Sequence, residues 1–146
     1  MLRINRQTDY AIRIVLALAK APAGSRISSS QIREEMLIPK AFMSRIVAQL
    51  ARTDFITAYP GRDGGLQLAK PAKEVTLRDV VELLEQPLYL SECMLDEQAC
   101  PFEGSCPVRK RWHRLQNVIM NELEQTNFEE LAQEGTSIQS INQLFT

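Results

Sequence analysis

Apolar residues first fall into step at Tyr10, Ala11, Ile14, Val15 and Leu18, the spacing of one face of a helix. They predict a helix over 7–20 with Thr8 as its N-cap, closed by Pro22 and Gly24. The stretch ISSSQIREEML follows, in which Ser28 and Gln31 have capping-box spacing and Ile27 and Ile32 fit a hydrophobic staple. A second helix is expected over about 29–36, with Leu37 and Ile38 in a tight turn. Pro39 suits the first position of a third helix, PKAFMSRIVAQLART, because its missing N–H costs nothing there. Phe42, Met43, Ile46, Val47 and Leu50 form its inward stripe, leaving Lys40, Ala41, Ser44, Arg45 and Arg52 outward. The period then shortens to two. FITAY and LQLAK flank the Gly-rich PGRDGG, which reads as a hairpin with Arg62 at its tip.

A short helix, a tight turn, a second helix and then a hairpin are the parts of a winged helix-turn-helix. This domain is expected over residues 1–72. By position, Pro39, Lys40, Ala41, Ser44 and Arg45 would face the major groove of duplex DNA, and Arg62 a minor groove or a phosphate.

Past the hairpin, TLRDVVELLEQ has Thr76 and Asp79 in capping-box register and an apolar stripe of Leu77, Val80, Val81 and Leu84, with Pro87 closing it. It makes a connecting segment over 73–90. Residues 91–106 follow neither period and predict a loop. Pro107 then opens a long helix with apolar residues at 108, 112, 115, 119 and 123, a near-heptad seam. Thr126 and Glu129 look like the cap of a last short helix, NFEELAQ, so 107–133 forms a dimerisation unit. The tail from 134 to 146 has no clear pattern. The fold class is therefore mainly α with a small β-hairpin wing, and a seam of this kind on so small a chain favours a homodimer.

Charge sharpens this division. The net charge is only −1, yet residues 1–70 hold eleven Lys/Arg against five Asp/Glu and the remainder six against thirteen. A basic head on an acidic body points to a polyanion partner for the head. Aromatics are 6% of the chain, so the core must be aliphatic. The longest apolar run, Ile14 to Ala19, is far short of the ~20 residues that cross a bilayer. No secretory signal is evident, and a cytoplasmic location without a membrane is expected. Nothing assembles a nucleophile–base pair or a small-molecule substrate site, so the reading excludes an enzyme.

The chemistry lies in CMLDEQACPFEGSC, which holds all three cysteines: Cys93, Cys100 and Cys106. A disulfide would leave one thiol over, and cytosolic disulfides are rare. Structural zinc favours gaps of two to four residues. The gaps of six and five here suit the wider mouth of an iron–sulfur cluster, for which thiolates are the soft ligands required. Zinc and redox-active thiols stay open as alternatives.

Together, the basic winged helix, the wing glycines, the three widely spaced cysteines and the long helix ending in TNFEELAQ resemble the IscR/NsrR family of bacterial iron–sulfur repressors. The resemblance runs from Met1 to about Gln133. It implies a homodimer on a palindromic operator, with one cluster per subunit held by the three cysteines. In the branch that senses cluster supply, a histidine lies three residues after the last cysteine; here that position is Arg109, and the only histidine is His113. In the nitric-oxide-sensing branch, an aspartate early in the first helix completes the site from the other subunit. Thr8-Asp9-Tyr10 looks like that motif, which implies Asp9 of the partner subunit as fourth ligand and a 4Fe-4S rather than a 2Fe-2S cluster. Relatives often carry an arginine just before the first wing glycine, where this chain has Pro60, leaving that contact to Arg62.

Overall fold

The computed structural model describes residues 3–85, 88–96, 98, 100–102 and 104–135. The expected close of the fourth helix at Pro87 and the tail over 136–146 lie outside them. In chain order the elements are α1 (Arg6–Lys20), α2 (Ser29–Glu35), α3 (Lys40–Ala51), β1 (Ile56–Tyr59), β2 (Gly65–Leu68), α4 (Leu77–Leu84) and α5 (Pro107–Gln125). A last helical stretch, α6, covers 128–135.

α1 begins earlier than its apolar period. Asn5, not Thr8, is the N-cap: its Oδ1 accepts the Thr8 N–H at 2.9 Å. Thr8 itself is wholly buried. Ser28 caps α2 as expected, accepting the Gln31 N–H at 3.1 Å, while the Gln31 side chain donates onward to Glu35. Pro39 is the N-cap of α3 rather than its first helical residue.

Between α2 and α3 the backbone turns through Leu37, which holds φ +53° and is 78% exposed. A left-handed leucine costs roughly 1–2 kcal/mol. The reversal lets the next residue, Ile38, enter the core and return its N–H to the Arg33 carbonyl. The Arg13 guanidinium also donates to the Met36 carbonyl at 3.1 Å and holds the turn from outside.

β1 and β2 pair antiparallel with Ile56 opposite Leu68 and Tyr59 opposite Gly65. Ile27 adds a bridge to Leu66 on the other edge, exchanging both backbone hydrogen bonds, so the wing is fastened to the strand-like lead into α2. Two glycines are required at its turn. A Cβ on Gly64 would lie 2.0 Å from the Tyr59 carbonyl oxygen, and Gly65 combines φ +138° with a Cβ position 2.8 Å from the Ile27 oxygen.

Ile14, Val15, Ile32, Ile46, Leu50, Ile56 and Leu66 meet in one aliphatic core, with each buried side chain contributing about 1.5–3 kcal/mol. α4 joins the core through Val80, while Val81 lines the cleft it shares with α5, and its capping box between Thr76 and Asp79 is complete. The end of α5 returns to the same junction: Leu77 donates to the Thr126 carbonyl and Phe128 to the Val75 carbonyl. Asn127, not Thr126, caps α6, its Oδ1 accepting the Glu130 N–H at 3.0 Å; Thr126 ends α5 instead. Arg78 joins α4 to α5, bonding Glu82 at 2.9 Å and Glu124 at 2.8 Å. The Glu82 hydrogen bond and charge, then those of Glu124, raise its guanidinium above the ordinary arginine value.

Candidate nucleic-acid interface and cysteine loop

The side chains that the sequence singles out form two sets, and they occupy different parts of the chain. The first lies on α3 and the wing. Met43, Ile46 and Leu50 are buried, which fixes the rotation of α3 and leaves Pro39, Lys40, Ala41, Ser44 and Arg45 exposed along its first half. Arg62 is exposed in the β1–β2 turn. A cleft of about 430 Å³ runs between them, lined by Ser28 and Ser29 at the start of α2, Val47 of α3, and Tyr59 and Arg62 of the wing.

The second set is the cysteine segment between α4 and α5. Cys93 sits in a single 3-10 turn, Glu92–Met94, where its sulfur is 3.2 Å from the Ser91 hydroxyl. Cys106 is the N-cap residue of α5 and makes no side-chain capping bond, while Pro107 occupies the first turn as expected. All three thiols are free and partly buried. Among the described residues, no three His, Cys, Asp or Glu side chains converge into a ready-made metal cage. His113 points to solvent on α5. The chemistry of the donor set would nonetheless suit an iron–sulfur group: three partly buried thiols without a disulfide on one short loop, the last at the positive end of a nineteen-residue helix that favours an anionic ligand set.

Asp9 lies in the first turn of α1, its side chain 48% exposed and ion-paired with Arg13 at 2.7 Å. The i,i+4 spacing of this pair was available in the sequence. Arg13 reaches three places at once: Asp9, the Met36 carbonyl in the helix-turn-helix turn, and the Tyr10 ring 5.3 Å below its guanidinium carbon. Tyr10 in turn packs edge-on against Phe42 of α3, with ring centroids 5.1 Å apart. A chain of contacts thus runs from Asp9 to the helix that presents Lys40 and Arg45.

Glu85 makes a long-range contact that the apolar pattern does not reveal. It caps the C-terminal end of α4, where an acid is unfavourable against the helix dipole. That mismatch was the available signal. Its carboxylate accepts the Asn5 N–H and Asn5 side-chain amide, both at 3.0 Å, and the buried Thr8 hydroxyl at 2.6 Å. The first turn of α1, from Asn5 to Thr8 beside Asp9, is therefore tied to the C-terminal end of α4.

Residues 4–134 match Rrf2, described as an iron-dependent transcriptional regulator. The chain belongs to the Rrf2 family. Solved structures with the same fold include CymR, the global cysteine regulator of B. subtilis, at 23% identity and TM-score 0.76, covering 92% of this chain and 98% of that one. The oxidised form of Staphylococcus aureus CymR matches at 26% identity and TM-score 0.69, over 90% and 96% of the two chains. IscR of T. potens matches at 16% identity and TM-score 0.73, over 92% and 88%. As an Rrf2 protein the chain is a DNA-binding transcriptional regulator with a winged helix, and not an enzyme. Among the described residues, no helix is long and apolar enough to cross a membrane.

Proposed function

We propose that this Rrf2 regulator is a homodimeric repressor whose grip on a palindromic operator is set by an iron–sulfur cluster on Cys93, Cys100 and Cys106. The observation that carries the reading is the loop itself: three free, partly buried thiols and no disulfide, in a family described as iron-dependent. Asp9 of the partner subunit is the proposed fourth ligand, which aligns the chain with the NsrR-like branch and favours 4Fe-4S. When bound, the cluster supplies the centre at which nitric oxide, or the redox and iron status of the cell, is read.

The chain's own residues translate that state. Asp9 would give up its ion pair with Arg13 on serving as a ligand in the partner subunit's site. Arg13 is then held only by the Met36 carbonyl and the Tyr10 ring, which border α3. Lys40, Ser44 and Arg45 would reach base edges and phosphates from that helix, and Arg62 the backbone or minor groove. The dimer would form along α5, where Val108, Trp112, Leu115 and Val118 are exposed, whereas Ile119 and Leu123 already rest half-buried on the chain's own body.

Anaerobic purification should give a brown protein with iron and sulfide in equal amounts, measured by native mass and colorimetric assay. A colourless chain carrying zinc, even after reconstitution, rules the cluster out. Asp9→Ala should speed cluster loss and blunt the spectral response to nitric oxide. Identical decay and response in the variant would remove Asp9 from the ligand set.

A second reading within the family is a thiol switch. It is favoured by the similarity to a CymR solved in an oxidised form and by the hydroxyl that Ser91 sets against the Cys93 sulfur. Mass shifts on peroxide treatment of the iron-free protein, matched by a change in DNA affinity, would mark that route.

A further inference from the structure

The outer face of the wing carries a cation that the recognition-helix reading does not use. Ile56 of β1 is buried, so by strand alternation Thr57 and Tyr59 turn to the opposite face. Tyr59 stands directly across from Gly65, whose missing side chain leaves room for the Ile27 backbone. Arg26 is thereby brought over Tyr59. Its guanidinium carbon lies 3.5 Å from the centre of the Tyr59 ring, a close stacked contact.

The residue is exposed, and among the described residues no carboxylate lies within ion-pair distance of it. Arg13, Arg33 and Arg78 all have acidic partners. A guanidinium stacked on an aromatic ring has its face covered and its edge of N–H donors free, in a planar fork that matches a phosphate. Holding that fork in place beforehand reduces the entropy lost on binding. Arg26 also immediately precedes Ile27, whose bridge to Leu66 fastens the wing. The cleft beside it brings Ser28, Tyr59, Arg62 and Val47 of α3 to one opening.

We propose that Arg26, oriented by Tyr59, is a DNA-backbone contact that forks onto one phosphate of the strand passing between the wing and α3. It is a positioning contact, indifferent to base sequence, and Tyr59 acts through it.

The test uses the intact protein, a duplex selected from a random pool for binding, and a scrambled duplex of equal length, titrated across a salt series. Arg26→Gln should weaken both duplexes by a common factor of about tenfold. The slope of log affinity against log salt should fall by about 0.9 per chain bound. Tyr59→Leu should cost affinity while keeping the full slope, and Tyr59→Phe should behave as the parent. Melting temperatures of the variants check that the wing is intact. Unchanged affinity and slope in Arg26→Gln would overturn the proposal. So would matching losses in Arg26→Gln and Tyr59→Leu with the slope intact, which would make the pair a stiffener of the wing.

Discussion

Cys106→Ser is expected to yield a protein that folds as well as the parent, holds neither iron nor sulfide after anaerobic reconstitution, and binds its operator with an affinity altered by about a hundredfold, or ~3 kcal/mol. The expectation that folding survives comes from the place of this residue. Cys106 is the N-cap of α5 and makes no capping bond, whereas serine is among the best N-caps. The variant therefore removes a soft ligand and supplies a hydroxyl suited to the helix start. Stability should hold or rise by a few tenths of a kcal/mol. Visible absorption, iron and sulfide counts, a thermal melt and operator titration together read the three effects. Full iron loading in the variant would separate Cys106 from the cofactor. A colourless variant with parental operator affinity would instead break the link between cluster and DNA.

Phe128→Ala is expected to destabilise the chain by about 3–5 kcal/mol. The ring is completely buried, in a core otherwise built from aliphatic side chains. Little nearby can collapse into the space, because the surrounding backbone is fixed. Phe128 donates its N–H to the Val75 carbonyl, Asn127 bridges Thr76, and the Thr76–Asp79 capping box locks the facing turn. Against a total of roughly 5–15 kcal/mol, such a loss lowers the melting temperature by about 10 °C or more. A shift of only a degree or two would show that α6 lies on the domain without supporting it.

The helices and wing were legible because each signal is local. Ser28, the Thr76–Asp79 box and Pro107 mark starts that depend only on backbone groups three or four residues away, and the apolar stripe of α3 fixes its outer face. The period of α1, by contrast, begins at Tyr10. It gives no hint that the helix starts at Arg6, since what steadies that turn is Glu85, almost eighty residues on. Thr126 was mistaken for a cap because it and Asn127 carry equivalent side-chain oxygens, and only the path of the chain decides between them. The cysteine loop was legible as a place and not as geometry. Its three thiols stand out in the sequence, but a loop without a period encodes no distances, and a contact from a second subunit would leave no pattern within one chain. Arg26 was invisible for a similar reason: its meaning depends on Tyr59, brought alongside by strand pairing.

The attachment of α5 has a mechanical consequence. Its C-terminal end is anchored by the Arg78–Glu124 bridge and the Thr126 and Phe128 backbone bonds, while Cys106 sits at its other end. At 1.5 Å per residue, nineteen residues make a beam of about 28 Å, held at its C-terminal end and again at Gln116, which accepts the Leu90 N–H at 3.3 Å. From Gln116 to Cys106 is about 15 Å of helix, so a tilt of a few degrees there moves Cys106 by several tenths of an ångström, more than the ~0.2 Å tolerance of a metal–sulfur bond. On the proposed cluster reading, substitutions at the Arg78–Glu124 bridge should therefore register as changes in how fast iron is released, although neither side chain is near a cysteine in the sequence.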